Sequence, residues 1–253
     1  MISAASPSVV TQAPQLHRKS KTVLVILAIL AGLVGASVAL VLAAESGLLG
    51  RYAQWRVRVE TSRFEFNRLY SQPDPPFEQA PNEFLVRTVR SLPRGAALDI
   101  AAGQGRNAVF LAQEGWQVTA FDISDKGLEI ASQTARRDGV KLTTFRSSAR
   151  NFDYGHDRWD LVLLIYAPIS YDDPSLMKRI CDSVKPGGYV IADTPIAMHQ
   201  PEDVLPRILG DLKRGELPTL FPGFTVVSYT ESLDTAEWFP QEMLMGRLLA
   251  KKR

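Results

Sequence analysis

Apolar positions in this chain change rhythm twice. From Val23 to Ala44 they form one uninterrupted run of Val, Leu, Ile, Ala and Gly with scarcely another residue type and no charge. As a helix rising ~1.5 Å per residue, the run reaches about 33 Å, enough to cross a ~30 Å hydrocarbon core. It predicts a transmembrane helix over residues 23–44. Two other readings stand beside it: a cleavable signal peptide, to which Ala43-Ala44 would lend a small-residue site, and a buried core helix. Residues 1–22, rich in Ser, Pro, Gln and Ala, read as a disordered tail.

Between residues 47 and 70 arginines interleave with Tyr52, Trp55, Phe64, Phe66 and Tyr70. This pattern fits a juxtamembrane amphipathic helix, and equally a linker helix packed on the following domain. Pro73, Pro75, Pro76 and Pro81 then break the helix, so residues 45–81 read as juxtamembrane helix and linker. Asn82 is placed to cap a helix reaching about Ser91.

From Ala96 the rhythm changes again, to short apolar runs alternating with amphipathic stretches. Strands are expected at Ala96–Ile100, Gln117–Phe121, Lys141–Phe145, Asp160–Ile165 and Tyr189–Ala192. Helices are expected at Arg106–Glu114, Asp125–Arg137 and Pro174–Val184. Two further strand-like runs, Phe224–Tyr229 and Met243–Ala250, suit a hairpin at one edge. The alternation predicts an α/β fold over residues 82–253, a doubly wound, Rossmann-like seven-stranded sheet.

The 253 residues allow one large domain with extras. The composition, 45% hydrophobic and 22% charged, is that of a globular protein, and a net charge of +2 gives no basis for nucleic-acid binding. The single Cys181 excludes an internal disulfide, and three histidines at these spacings make no metal site.

The chemistry concentrates at the end of the first strand, in Leu98-Asp99-Ile100-Ala101-Ala102-Gly103-Gln104-Gly105. Glycines there let backbone approach a ligand, and the following helix points its N-terminal N–H groups at the same place. Gly103-x-Gly105-x-x-Ala108 also fits the dinucleotide fingerprint. Asp99, at the strand end, suits a cationic amino or sulfonium group better than a pyrophosphate. Asp122, 17 positions after Gly105, is placed to hold ribose hydroxyls, which does not separate the two cofactors.

These residues resemble the class I S-adenosylmethionine (SAM)-dependent methyltransferases. The turn looks like that family's strand-end acid with D-x-G-x-G-x-G, Ala101 standing at the first glycine. Trp116 to Asp122 resembles its second strand, Trp159 to Leu164 its fourth, and Lys185-Pro186-Gly187-Gly188 its K-P-G-G turn. Gly103-Gln104-Gly105-Arg106-Asn107 is similar to the small-molecule, tellurite-resistance-like branch. The resemblance implies SAM as cofactor, bound by Asp99, Ala101, Gly103, Gly105, Arg106, Asp122, Ile123, Ser148, Ala149 and Tyr166. Arg106 and Asn107 would lie near its methionine part. Ser148 and Ala149 stand where the family commonly has an acid near adenine. If the acceptor needs a base, Tyr166, Tyr171 and His199 are the candidates.

The implied protein is a membrane-anchored methyltransferase acting on a small-molecule or lipid-like acceptor. Charge flanking residues 23–44 is nearly balanced, so orientation rests on chemistry: SAM is cytosolic, and the catalytic domain is expected there. An NAD(P)-dependent oxidoreductase and an inactive SAM-binding scaffold remain as alternatives.

Overall fold

The computed structural model describes residues 62–73, 75, 77–196, 212–235 and 242–253. They belong to a compact unit running from Val59 to Arg253. The expected tail over residues 1–22 and the expected span over residues 23–44 lie outside the described residues. Among those described, no helix is long and apolar enough to cross a membrane.

The unit begins earlier than Asn82. Residues 62–70 are helical (α1) and pack on the domain, with Tyr70 buried. Arg63 pairs with Asp125, Nε to Oδ2 at 2.9 Å, as the packed-helix alternative for this segment requires. The described part of the juxtamembrane segment is therefore a packed helix. α2 (Glu83–Val89) follows, capped by Asn82, whose side chain accepts from the Leu85 N–H.

Then come β1 (Ala96–Ile100), α3 (Arg106–Gln113), β2 (Gln117–Asp122), α4 (Asp125–Arg137), β3 (Leu142–Arg146), β4 (Trp159–Ile165), α5 (Pro174–Ser183), β5 (Val184–Pro195), β6 (Phe224–Thr235) and β7 (Glu242–Lys252). The seven strands form one sheet in the order β3-β2-β1-β4-β5-β7-β6. β1 to β5 are parallel, while β7 runs antiparallel to both β5 and β6. The expected edge hairpin thus enters through its second strand.

β4 shows why the central strands read as solid apolar runs. Leu161 to Ile165 are all buried, some side chains in the cluster on one face of the sheet and some in the cluster on the other. Each such side chain is worth ~1.5–3 kcal/mol of burial. β5 is longer than its four-residue apolar run. Val184 pairs with Trp159, the pairing then breaks, and it resumes at Tyr189 against Leu161. The Lys185-Pro186-Gly187-Gly188 turn makes this irregularity. Gly187 sits at φ +80°, and a Cβ on Gly188 would come within 2.9 Å of Val184 Cγ1 and 3.0 Å of the Trp159 carbonyl oxygen. Lys185 reaches back across it to Asp160 at 2.7 Å.

β1 and β4 are neighbours from which the connections leave in opposite directions, β2 and β3 to one side and β5 to the other. The carboxyl ends of β1, β2 and β4 therefore frame a crevice at the topological switch point.

Candidate functional site

The crevice is lined by the turn that leaves β1. Ala101 (φ +56°), Gly103 (φ +54°) and Gly105 (φ +77°) are all left-handed. Glycine takes this conformation freely, whereas at Ala101 it costs roughly 1–2 kcal/mol. The turn survives because it is pinned. Ala102 N–H donates to the Phe121 carbonyl at 3.0 Å, and Gly103 N–H donates to Asp122 Oδ2 at 2.9 Å. The other oxygen of Asp122 accepts from Ser124 N–H at 2.7 Å.

Two cavities open over this turn. The first, of 60 Å³, is lined mainly by apolar groups, among them Ala101, Phe121, Ile123, Ala149 and Ile169, with Asp122 at its edge. The second, of 30 Å³, is lined by polar groups, among them Asp99, Gln104, Arg106 and Asn107, with Ala101 and Gly103 between them. An apolar slot suits a flat heterocycle, and the polar one suits a zwitterion. Asp122 stands between in sequence and chemistry, a carboxylate with acceptor capacity beyond its two backbone bonds.

Asp99 is buried, and its Oδ2 has no hydrogen-bond partner among the described residues. Burial pushes its carboxyl up to about 7; the Arg106 guanidinium opposes this and the charge of Asp122 adds to it. Burial likewise raises Asp122, against the backbone N–H groups of Ser124 and Gly103. A desolvated carboxylate with an unpaired oxygen favours a cation beside it.

The expected site residues divide. Asp99, Ala101, Gly103 and Arg106 meet at the polar cavity, and Ala101, Asp122, Ile123 and Ala149 at the apolar one. Gly105 lines neither: a Cβ on it would sit 2.5 Å from Ala131 Cβ, so its glycine serves the approach of α3 to α4. Ser148 is not in the lining, where Ser147 stands instead. Tyr166 is also absent from both linings. At φ +50° it is buried in a core cluster with Leu85 and Ala108. Tyr171 is buried in the opposite cluster, and burial raises its phenol above the ordinary value, which suits a packed neutral ring better than a base. His199 lies outside the described residues.

Several lining residues were not expected. Tyr70 lines both cavities, Phe66 the apolar one, and Phe77 and Glu78 the polar one. The only signal in the sequence was the aromatic spacing of Phe66 and Tyr70, which a membrane interface explains equally well.

Comparison with known proteins agrees with this geometry. Residues 97–188 match a protein-family model described as "Methyltransferase domain". Over 99 residues the chain is 34% identical to the ubiquinone biosynthesis O-methyltransferase of Yersinia pestis (strain Pestoides F), covering 38% of this chain and 41% of that one. The chain thus spans about two fifths of the length of the curated relatives it matches. Among solved structures, TehB of Haemophilus influenzae superposes with a TM-score of 0.59 at 18% identity, covering 68% of this chain and 62% of that one. A SAM-dependent methyltransferase of Methanosarcina mazei gives 0.51 at 18% identity, covering 62% and 92%. At these identities the likeness is one of fold, a Rossmann-like methyltransferase fold. The family match supports S-adenosyl-L-methionine as the cofactor.

Proposed function

We propose that this chain is a SAM-dependent methyltransferase, tethered to a membrane through residues 23–44, that methylates a small-molecule or lipid-like acceptor. The observation that carries this reading is the buried carboxylate of Asp99, with Oδ2 unpartnered, at the edge of a glycine turn. A pyrophosphate brought to that turn would meet a negative charge, whereas the ammonium of an amino acid would neutralise it. The residues fit the cofactor in order: Asp99 for the ammonium, Arg106 and the first N–H groups of α3 for the carboxylate, Asp122 for the ribose hydroxyls, and the apolar slot for adenine.

The cofactor, when bound, supplies a methyl group activated on a sulfonium. The protein's part is to bind, orient and exclude water. Asp99 and Asp122 fix the two ends of the nucleoside amino acid relative to β1 and β2. Phe66, Tyr70 and Phe77 cover the crevice with aromatic surface, which keeps solvent from it. The name of the Yersinia relative points to an oxygen acceptor. The 22 uncharged residues from Val23 to Ala44 support the tether, which would keep an apolar acceptor within reach. We place the domain on the cytosolic side, where SAM is held.

Calorimetric titration with S-adenosylhomocysteine, beside NADH, tests the assignment. Binding of the former that Asp99→Asn weakens supports it. Binding of NADH alone overturns it in favour of an oxidoreductase. Binding of S-adenosylhomocysteine without turnover of any small or lipid acceptor would leave a scaffold.

A further inference from the structure

α1 does more than lead into the domain. Its last residue, Tyr70, is 7% exposed and forms a wall common to both cavities. Its Oη lies so near Gly103 that a Cβ there would come within 2.2 Å of it, and a Cβ on Gly127 would come within 3.1 Å of its ring. Phe77 leans on the same ring, centroid to centroid 4.5 Å. The cavities on either side measure 60 and 30 Å³, against the ~300–1,000 Å³ of a cleft that encloses a ligand of cofactor size. A ligand joining the two has to cross the space that Tyr70 fills.

Tyr70 is held by its own burial against Phe66 and Phe77, and α1 is pinned by polar contacts made earlier along its length. Arg63 Nε donates to Asp125 Oδ2 at 2.9 Å, with side chains 34% and 43% exposed. Asp125 is also shared with Arg146, at 3.1 Å. One turn on, Asn67 Oδ1 accepts from Ser124 Oγ at 2.7 Å and from Lys126 N–H at 3.2 Å, closing over the N-terminus of α4. The Arg63–Asp125 pair is half-exposed, and ion pairs in that position contribute little. The chain after Tyr70 is held at the turn, with Gln104 Nε2 donating to the Glu78 carbonyl at 2.8 Å and Arg106 to the Ala80 carbonyl at 2.9 Å. α1 is thus anchored to the turn at its far end and pinned to α4 along its length.

We propose that α1 is a gate on the cofactor cleft: Tyr70 is the bolt between the two cavities, and Arg63 and Asn67 latch it to the first turn of α4. The gate rests on the reading that this cleft takes SAM. Loading then waits on opening, so the observed binding rate levels off as ligand rises.

Stopped-flow binding of S-adenosylhomocysteine to the full chain tests this. The expected result is a plateau in rate for the wild type. Arg63→Ala and Asn67→Ala raise it about threefold to fivefold, the factor that ~1 kcal/mol of latch allows. Tyr70→Ala turns the dependence linear. The two latch variants are surface changes, so the test does not depend on Tyr70→Ala folding. Rates that stay linear in ligand and unchanged in Arg63→Ala and Asn67→Ala, with equilibrium binding intact, overturn the gate and leave the cofactor reading standing. Equilibrium binding by Tyr70→Ala but not by the wild type supports a gate that is almost always shut. No equilibrium binding by the wild type or any of the three variants overturns the cofactor reading and the gate with it.

Discussion

Asp122 and Gly103, nineteen residues apart in sequence, are joined by a hydrogen bond of 2.9 Å from the Gly103 amide to a buried carboxylate oxygen. Through this bond the end of β2 shapes the turn that leaves β1. The same carboxylate holds the Ser124 amide at the start of α4. Any ligand role of Asp122 is therefore superimposed on a structural one. Asp122→Ala is expected to lower the melting temperature by several degrees, since hydrogen bonds to a charged group contribute about 1.5–3 kcal/mol. It should also weaken S-adenosylhomocysteine binding tenfold or more. Asp122→Asn, which keeps one acceptor but turns an NH2 toward the other backbone amide, should regain part of the stability and little of the affinity. Thermal denaturation beside calorimetry separates the two effects, and equal recovery of both would deny Asp122 a ligand role.

Gly105 illustrates the opposite case. Its left-handed φ of +77° makes a side chain costly by ~1–2 kcal/mol, and a Cβ would lie 3.1 Å from the Ala131 Cα, which is backbone and cannot yield. Gly105→Ala is expected to destabilise the fold by about 2 kcal/mol or more by urea denaturation. A variant that melts as the wild type does but fails to bind would return Gly105 to the ligand.

These two glycines show where the sequence is legible and where it stops. The turn, its strand and the acid at the end of β2 were readable because each is local: an apolar run, a Gly-x-Gly and an aspartate at fixed spacing. Which glycine faces the crevice and which faces a helix depends on Ala131, which no local pattern reveals. Tyr70 escaped for the same reason. Its partner Gly103 lies 33 positions away in sequence, and its spacing from Phe66 is also that of an interfacial aromatic belt. Ser147, not Ser148, lines the apolar cavity, a difference of one residue just past a strand end that no local pattern fixes. Tyr166 has φ +50° and is buried in the core, neither of which Ile165-Tyr166-Ala167-Pro168 announces.

The K-P-G-G segment carries a purely structural prediction. Asp160 Oδ2 accepts from the Ala96 amide and from Lys185, each at 2.7 Å, and a Cβ on Gly95 would fall 2.3 Å from that oxygen and 2.8 Å from the Asp160 Cβ. Gly95→Ala must therefore displace the whole side chain. A loss of about 1–3 kcal/mol is expected, read as a fall of a few degrees in melting temperature with cofactor affinity unchanged. Because the damage runs through Asp160, Cβ included, the double variant Gly95→Ala/Asp160→Gly should be little less stable than Asp160→Gly alone. Full additivity would mean that Gly95 acts elsewhere.

Asp99 ties stability to pH and to the ligand with opposite signs. Burial raises its carboxyl from the ordinary 3.8 to about 7, so the folded state prefers the neutral acid. That preference favours folding fully below about pH 4 and is lost as pH rises toward 7. Asp99→Asn has no such dependence. Its melting temperature should gain on that of the wild type across this window and exceed it by several degrees at pH 8. A bound cation reverses the preference, because it needs the carboxylate. Wild-type affinity for S-adenosylhomocysteine should then rise between pH 5.5 and 8, and binding near pH 6 should release a proton, seen as a dependence of the calorimetric heat on the ionisation enthalpy of the buffer. Asp99→Asn should bind more weakly and without that proton. A wild-type heat independent of buffer at pH 6, with affinity flat across the range, would mean that the Asp99 carboxylate does not face the ligand's cation, and the assignment of the polar cavity to the amino-acid end would fall with it.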